Sequence, residues 1–303
     1  MSLLVVGTVA FDAIETPFGK TDKIVGGAAT YICLSSSFFT NKINLVSVVG
    51  EDFPGAAIQM LKNKSVNTKG LQIKKGEKTF FWSGKYHNDM NNRDTLETQL
   101  NVLENFNPLV PDEFKRSEFL MLGNLMPSVQ KKVLDQMTKR PKLVVLDTMN
   151  FWMDHFMEDL KEALESVDVL TINDEEARQL SKEYSLVKAA KLILQMGPKY
   201  LIIKKGEHGA LLFSKTSVFF VPALPLEEVF DPTGAGDSFA GGFMGYLAKT
   251  NDISFENMKR AVIQGTVMAS FCVEKFGTQK LTEITQGKID IRTKELIDLV
   301  KAT

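Results

Sequence analysis

Histidine, cysteine and tryptophan are scarce in this sequence: three, two and two among 303 residues. His87, His155 and His208 are scattered, and no Cys/His spacing matches a zinc site. Cys33 and Cys272 each lie in an apolar run, which predicts buried free thiols in a reducing compartment, not a disulfide framework. No apolar run reaches the length of a membrane-spanning helix. The apolar start, Met1 to Val6, has no basic segment and is too short for a signal peptide. The formal net charge is -1, so no excess of either sign points to a nucleic acid or a membrane as partner. There is no internal repeat, low-complexity segment or clear linker. A nucleotide-binding P-loop is missing as well: Gly19-Lys20-Thr21 comes nearest, but Ile14 stands where its first glycine is required. No GxGxxG dinucleotide fingerprint occurs, which disfavours an oxidoreductase on a doubly wound fold.

What remains is an ordinary globular composition, 44% hydrophobic and 24% charged. At this length it supports a large core, in one α/β domain or two smaller ones. Short apolar runs that read as buried strands occur at residues 3–6, 43–49, 119–122, 143–146, 167–172 and 200–203. Stretches of helical period lie between them, as at 28–39 and 56–62. The alternation predicts a three-layer α/β/α fold with a mainly parallel sheet. Between Lys78 and Met90, Phe80, Trp82, Gly84 and Tyr86 recur with period two, as in strands with one covered face. Residues 93–140 read as two helix-like stretches around the strand at 119–122.

The most informative stretch is Phe230-Asp-Pro-Thr-Gly-Ala-Gly-Asp-Ser-Phe-Ala-Gly-Gly-Phe243. Pro232 and Thr233 end an extended run, Gly234, Ala235 and Gly236 make a turn with almost no side chain, and Asp237 opens a helix. Such a turn aims free backbone N–H groups and the positive end of a helix dipole at one spot, which suits phosphate or a developing oxyanion. Asp237 in that place can accept a proton from a hydroxyl. The plainer reading is a capping aspartate after a glycine turn.

The whole string resembles the carboxy-terminal signature of the PfkB/ribokinase family of carbohydrate and nucleoside kinases, which includes ribokinase-like and adenosine kinase-like members. The resemblance implies that Asp237 is the catalytic base and that Gly234, Ala235 and Gly236 form the anion hole. It extends over nearly the whole chain. Asp12 and the pair Gly26-Gly27 match the positions that hold sugar hydroxyls in that family. Two neighbours depart from it: Ala10 and Tyr31 stand where Asn is often found. Tyr31, Asp147 and Asn150 complete the substrate-binding set implied. Asn173 and Glu176 match an N-x-x-E motif that organises Mg2+, mostly through water, and their spacing is also that of a capping box. Lys204-Lys205-Gly206-Glu-His-Gly209 resembles a T-x-G-x-x-G loop, with Lys204 where Thr is often found. Asn173, Lys204, Gly206, Gly209, Gly234 and Gly236 are thereby the expected ATP-binding residues. The glycines of the helices near 236–248 and 255–273 imply close packing or a flat nucleotide face.

The implied protein is one domain, 1–303, with a small β-lid from about 12–25 and 78–92. The implied activity is transfer of the γ-phosphate of MgATP to a primary hydroxyl of a small sugar-containing molecule, with room for K+ as a further cofactor. Ala10, Tyr31, the presumed lid aromatics Phe80, Trp82 and Tyr86, and Met149, Phe151 and Trp152 after the strand bearing Asp147 favour a nucleoside over a free sugar. A free sugar needs hydroxyl partners on every side, whereas a base needs an apolar or aromatic slot. A kinase for a free ketose or pentose, and a non-catalytic sugar- or nucleotide-binding regulator, stay as alternatives. A homodimer through the lid and a cytoplasmic location complete the expectation.

Overall fold

The computed structural model describes residues 1–301. Its strands are β1 (Leu3–Val6), β2 (Ala10–Thr16), β3 (Gly19–Lys20), β4 (Ile24–Gly26), β5 (Ile43–Gly50), β6 (Val66–Lys74) and β7 (Phe81–Tyr86). They continue with β8 (Arg93–Gln99), β9 (Phe119–Leu122), β10 (Leu143–Asp147), β11 (Val169–Asn173), β12 (Tyr200–Lys204), β13 (Ala210–Phe213) and β14 (Val218–Val221). The helices are α1 (Ala28–Ser36), α2 (Gly55–Asn63), α3 (Pro127–Asp135), α4 (Asn150–His155), α5 (Met157–Glu165) and α6 (Asp174–Ser181). After them come α7 (Leu186–Ile193), α8 (Ala235–Thr250), α9 (Phe255–Cys272), α10 (Gln279–Glu283) and α11 (Gln286–Leu299).

The main sheet has the order β14-β13-β12-β11-β10-β9-β1-β5-β6. From β12 to β6 all neighbours are parallel, and β13 and β14 close the other edge antiparallel. Its central strands are apolar on both faces because both faces are covered. Successive residues go to opposite layers: Leu3, Val5, Leu143 and Val145 pack with α1, α8 and α9, while Leu4, Val6, Val144 and Leu146 pack with α3, α5, α6 and α7. This is the three-layer α/β/α arrangement that the alternation of elements implies. The helix glycines serve close packing. A side chain on Gly241 would lie 2.5 Å from the Ile32 carbonyl oxygen in α1, and one on Gly242 would lie 2.8 Å from that of Gln264 in α9.

A second, smaller sheet has the order β3-β2-β7-β8, with β4 paired to β2. It takes in residues 10–26 and 81–99, so it is longer than the expected 12–25 and 78–92. Residues 93–99, expected to be helix-like, are strand. All seven are exposed, so their side chains carry no apolar period of either kind, and backbone pairing to β7 alone sets their conformation. Of the two helix-like stretches expected in 93–140, only α3 forms. Before β9 there are short 3-10 turns at Asn101–Leu103 and Asp112–Phe114.

The pairing of β7 with β8 contains a bulge. Ser83 faces Glu97 and Gly84 faces Thr95, leaving Leu96 over. A slip of one residue exchanges the faces of a strand. The bulge therefore puts Thr95 and Arg93 on the same face as Gly84 and Tyr86.

Candidate active site

One side of the site lies at the carboxyl ends of the parallel strands, where open α/β sheets bind ligands. Asp147 is the last residue of β10, Asn173 of β11 and Lys204 of β12. α8 begins opposite them. Its N-cap, Gly234, has φ 77° and ψ 1°, and a β-carbon there would lie 2.5 Å from three atoms of the Tyr31 ring. Only glycine meets both demands without strain. Asp231 braces this turn from behind: its two oxygens accept from the backbone N–H groups of Thr233 and Gly277, each at 2.8 Å.

Ala235 is not a free donor. Its N–H bonds the Pro232 carbonyl at 3.1 Å, closing the tight turn that precedes the helix. The N–H of Ser238 bonds Gly234 at 2.7 Å. Among the described residues, the N–H groups of Gly236 and Asp237 have no such partner, so the donors left free at this helix start are those of Gly236 and Asp237 and not that of Ala235. Asp237 itself is in the first turn of α8 and half-buried. Burial, then the nearby Asp147 carboxylate, push its pKa up to about 7, against the opposing pull of Lys204 and Arg93.

Asp147 and Lys204 form a buried ion pair. The ammonium lies 3.3 and 3.5 Å from the two carboxylate oxygens. Burial alone would lower the pKa of Lys204, but Asp147, Glu176 and Asp237 outweigh it and raise it. Glu176 and Asn173 make the reciprocal capping box of α6: Asn173 Oδ1 accepts from the Glu176 N–H at 2.7 Å, and Glu176 Oε2 from the Asn173 N–H at 2.8 Å. The cap points the Glu176 carboxyl toward the Lys204–Asp147 pair, and its pKa rises to about 7, chiefly through burial.

Asp12 lies at the other side of the site, in the second sheet. Its Oδ2 accepts from the Gly27 N–H at 3.3 Å, and a side chain on Gly26 would run into the carboxylate. Burial raises its pKa to about 7, opposed by the Gly27 bond, with Asp231 and Asp237 adding to the rise. Tyr31 is buried, and its hydroxyl has no hydrogen-bond partner. Burial and the surrounding carboxylates, Asp12 first, hold the phenol neutral.

The second sheet reaches the turn directly. The hydroxyl groups of Tyr86 and Thr233 lie 3.2 Å apart, with Thr233 immediately before Gly234. Beside Tyr86, Arg93 acts on both Asp237 and Glu176, lowering the pKa of each. The Trp82 ring lies across Gly84, where any side chain would strike it, and its Nε1 donates to Thr95 Oγ1 at 3.3 Å. Asp12 and Trp82 are register partners. Arg93 escaped sequence reading because β8 has no apolar pattern. The polar run His87-Asn-Asp-Met-Asn-Asn92 was a usable hairpin signal.

Three expectations change in detail. Asn150 is exposed at the start of α4, and its Oδ1 accepts only from the neighbouring Phe151 N–H at 3.1 Å. Thr148 before it is still buried, but Asn150 opens α4 at the surface, and its side chain is spent on the adjoining backbone. Gly206 and Gly209 meet groups of the chain itself: the Gly206 backbone lies against Asn91 of the β7–β8 hairpin, and that of Gly209 against the Val221 carbonyl. Phe151, Trp152, His155 and Phe156 pack against one another in tilted or edge-to-face pairs, and none of these rings pairs with Phe80, Trp82 or Tyr86.

A metal can be tested against these donors. Mg2+ takes oxygen ligands and keeps several waters. Asp147 and Glu176 offer carboxylate oxygens, but one oxygen of Glu176 is held by the cap. Among the described residues, no three His, Cys, Asp or Glu side chains are arranged to hold a metal ion by themselves. The donors suit an ion that brings phosphate and water ligands with it.

Residues 2–285 match the pfkB family of carbohydrate kinases. The chain belongs to this family. A cytidine kinase from Thermococcus kodakarensis is 30% identical over 93% of this chain and 99% of its own length. A nucleoside kinase from Methanothermobacter thermautotrophicus is 26% identical over 91% of each chain. The crystal structure of the Methanocaldococcus jannaschii nucleoside kinase superposes with a TM-score of 0.78 at 24% identity, covering 97% of this chain and 99% of that one. The pfkB-family chain is thus a phosphotransferase acting on a hydroxyl group, and a structural neighbour from E. coli, with a TM-score of 0.79 at 19% identity, has been solved in complex with ATP and Mg2+. Among the described residues of this family member, no helix is long and apolar enough to cross a membrane.

Proposed function

We propose that the protein transfers the γ-phosphate of MgATP to the primary hydroxyl of a nucleoside, with Asp237 as base. The observation that carries the reading is the convergence of Asp237, the α8 turn and Asp12 beneath the inner face of the second sheet. The acceptor lies between Asp12 and Asp237, its ribose hydroxyls held by Asp12, Tyr31 and the Gly26-Gly27 backbone. Asp237 takes the proton of the CH2OH group as its oxygen bonds to the γ-phosphorus, and the bond to ADP breaks. A carboxyl with a pKa near 7 is well placed for this, since it is basic yet about half ionised at neutral pH. The free N–H groups of Gly236 and Asp237 and the positive end of α8 carry charge on the phosphoryl group in flight. Lys204 reaches the donor phosphates, with Asn173 and Gly234 beside the nucleotide. Bound Mg2+, which Asp147, Asn173 and Glu176 would hold mostly through water, neutralises phosphate charge.

We read the chain as one domain with the second sheet as its lid. Trp82 favours a nucleoside because its indole offers a flat aromatic surface next to Asp12, and stacking on such a surface is worth about 1–3 kcal/mol per base. The names of the cytidine kinase and nucleoside kinase relatives agree. Steady-state kcat/KM with adenosine, inosine, cytidine, ribose and fructose tests it. A nucleoside should lead. A sugar ahead of every nucleoside by about tenfold, some 1.4 kcal/mol, would refute the acceptor and leave the kinase standing. The same reading extends to K+ activation, to a cytoplasmic setting and to pairing of two copies through β8, an edge strand exposed along its length. Rates in K+ against Na+, and sedimentation at rising concentration, measure the first and last.

A further inference from the structure

Lys204 is the feature of this site that its family resemblance least explains, since Thr is often found at its position. The side chain leaves the end of β12 beside its register partner Asn173. It ends at Asp147, 3.3 Å from the nearer oxygen, with side-chain exposures of 17% for Lys204 and 8% for Asp147. Its Nζ is 3.1 Å from where a β-carbon on Gly236 would stand, so it lies against the first turn of α8. Glu176 and Asp237 are near enough to act on its charge. A single ammonium therefore contacts one carboxylate and lies within the field of two more, on the side of the site where a divalent ion would seek oxygen ligands.

We propose that Lys204 is a resident counter-cation, which fills the carboxylate side of the nucleotide-free site, keeps a free divalent ion out, and releases Asp147 only when nucleotide enters. Two cations cannot share one buried carboxylate without strong repulsion. Nucleotide changes the balance. Its phosphate oxygens give the ammonium a new partner, and Asp147 and Glu176 are then open to the ion that the phosphates carry. No bond is made or broken in this exchange, and its consequence is an order: metal enters with nucleotide and not before it. The inference rests on the reading of Asp147 and Glu176 as the metal side of the site. It does not depend on the acceptor.

The test uses the whole protein without nucleotide or acceptor, and Mn2+ as probe, with free Mn2+ read by electron paramagnetic resonance. Lys204→Met should bind Mn2+ on the order of tenfold or more tightly than wild type, because one positive charge has been removed beside the ligands. Lys204→Arg keeps the charge and should bind as weakly as wild type. The gain should vanish in Lys204→Met combined with Glu176→Gln or with Asp147→Asn. Lys204→Thr, small and polar, should show the same gain and stands in if the methionine variant does not fold. As a second readout, Mn2+ should raise the Tm of Lys204→Met and not that of wild type. Wild-type binding as tight as in Lys204→Met and Lys204→Thr, or a gain that survives both second substitutions, would overturn the proposal. Phosphoryl transfer assayed separately in wild type tests the kinase roles, so the two can fail independently.

Discussion

Replacing Asp237 by Asn removes a carboxylate that the fold disfavours and the chemistry needs, so activity and stability should move in opposite directions. The magnitude follows from its proton affinity. A carboxyl raised from 3.8 to about 7 has its charged form disfavoured in the folded state by about 4 kcal/mol at most, at 1.36 kcal/mol per unit. Asp237 is only half-buried and shares its field with Asp147, so solvent screening reduces the expected gain in Asp237→Asn to about 1–3 kcal/mol. The sign of the pH dependence is determined. Between about pH 4 and 7 the folded wild type binds more protons than the unfolded chain, so its stability falls as pH rises through that window. Above about pH 7 the loss is complete. Urea unfolding should thus show a larger stabilisation by Asp237→Asn at about pH 8 than at about pH 5, while ADP production falls roughly 10^2-fold or more. An equal gain at both pH values would show a packing effect with no part played by charge. Near-wild-type turnover would remove Asp237 from the mechanism altogether.

Two further substitutions probe the surroundings of Asp237. Gly234→Ala forces a side chain into a left-handed backbone and against the Tyr31 ring 2.5 Å away, which should cost about 2–4 kcal/mol in urea unfolding. In a Tyr31→Ala background the additional loss should be smaller, and a loss below about 1 kcal/mol in the wild-type background would show that the turn relaxes freely. Arg93→Met removes a cation that lowers the pKa of Asp237, so the acid limb of kcat/KM should move to higher pH. Because Arg93 is exposed, the difference from wild type should shrink as salt is raised, and an unmoved limb at low salt would place Arg93 away from the base.

The parts of the site that could be read from the chain are those made within a few residues. The Gly234–Asp237 turn needs only small residues followed by a helix start, and the Asn173/Glu176 cap needs only a spacing of three. Buried strands announce themselves by apolar runs, so the layers of the fold were legible too. β8 was not, because its residues are exposed on both sides and its pairing with β7 is a matter of backbone and of a bulge at Leu96. Ala235 was misjudged as a donor for a related reason: the carbonyl that takes its N–H belongs to the shape of the turn and not to any side chain.

By itself, then, the sequence determined the order and kind of the buried strands and of the helices packed on them, but not β8, and the chemistry available at each strand end, because apolar period, turn residues and capping are local properties. The tertiary structure alone decided who faces whom. Lys204 meets Asp147 across 57 residues, and Tyr86 meets Thr233 across 147. Contacts of that span exist only once the layers have packed and the loop-closure entropy has been overcome. The proton affinities of Asp12, Glu176 and Asp237 follow from the same assembly, since burial is the leading cause of each, and burial belongs to the packed chain.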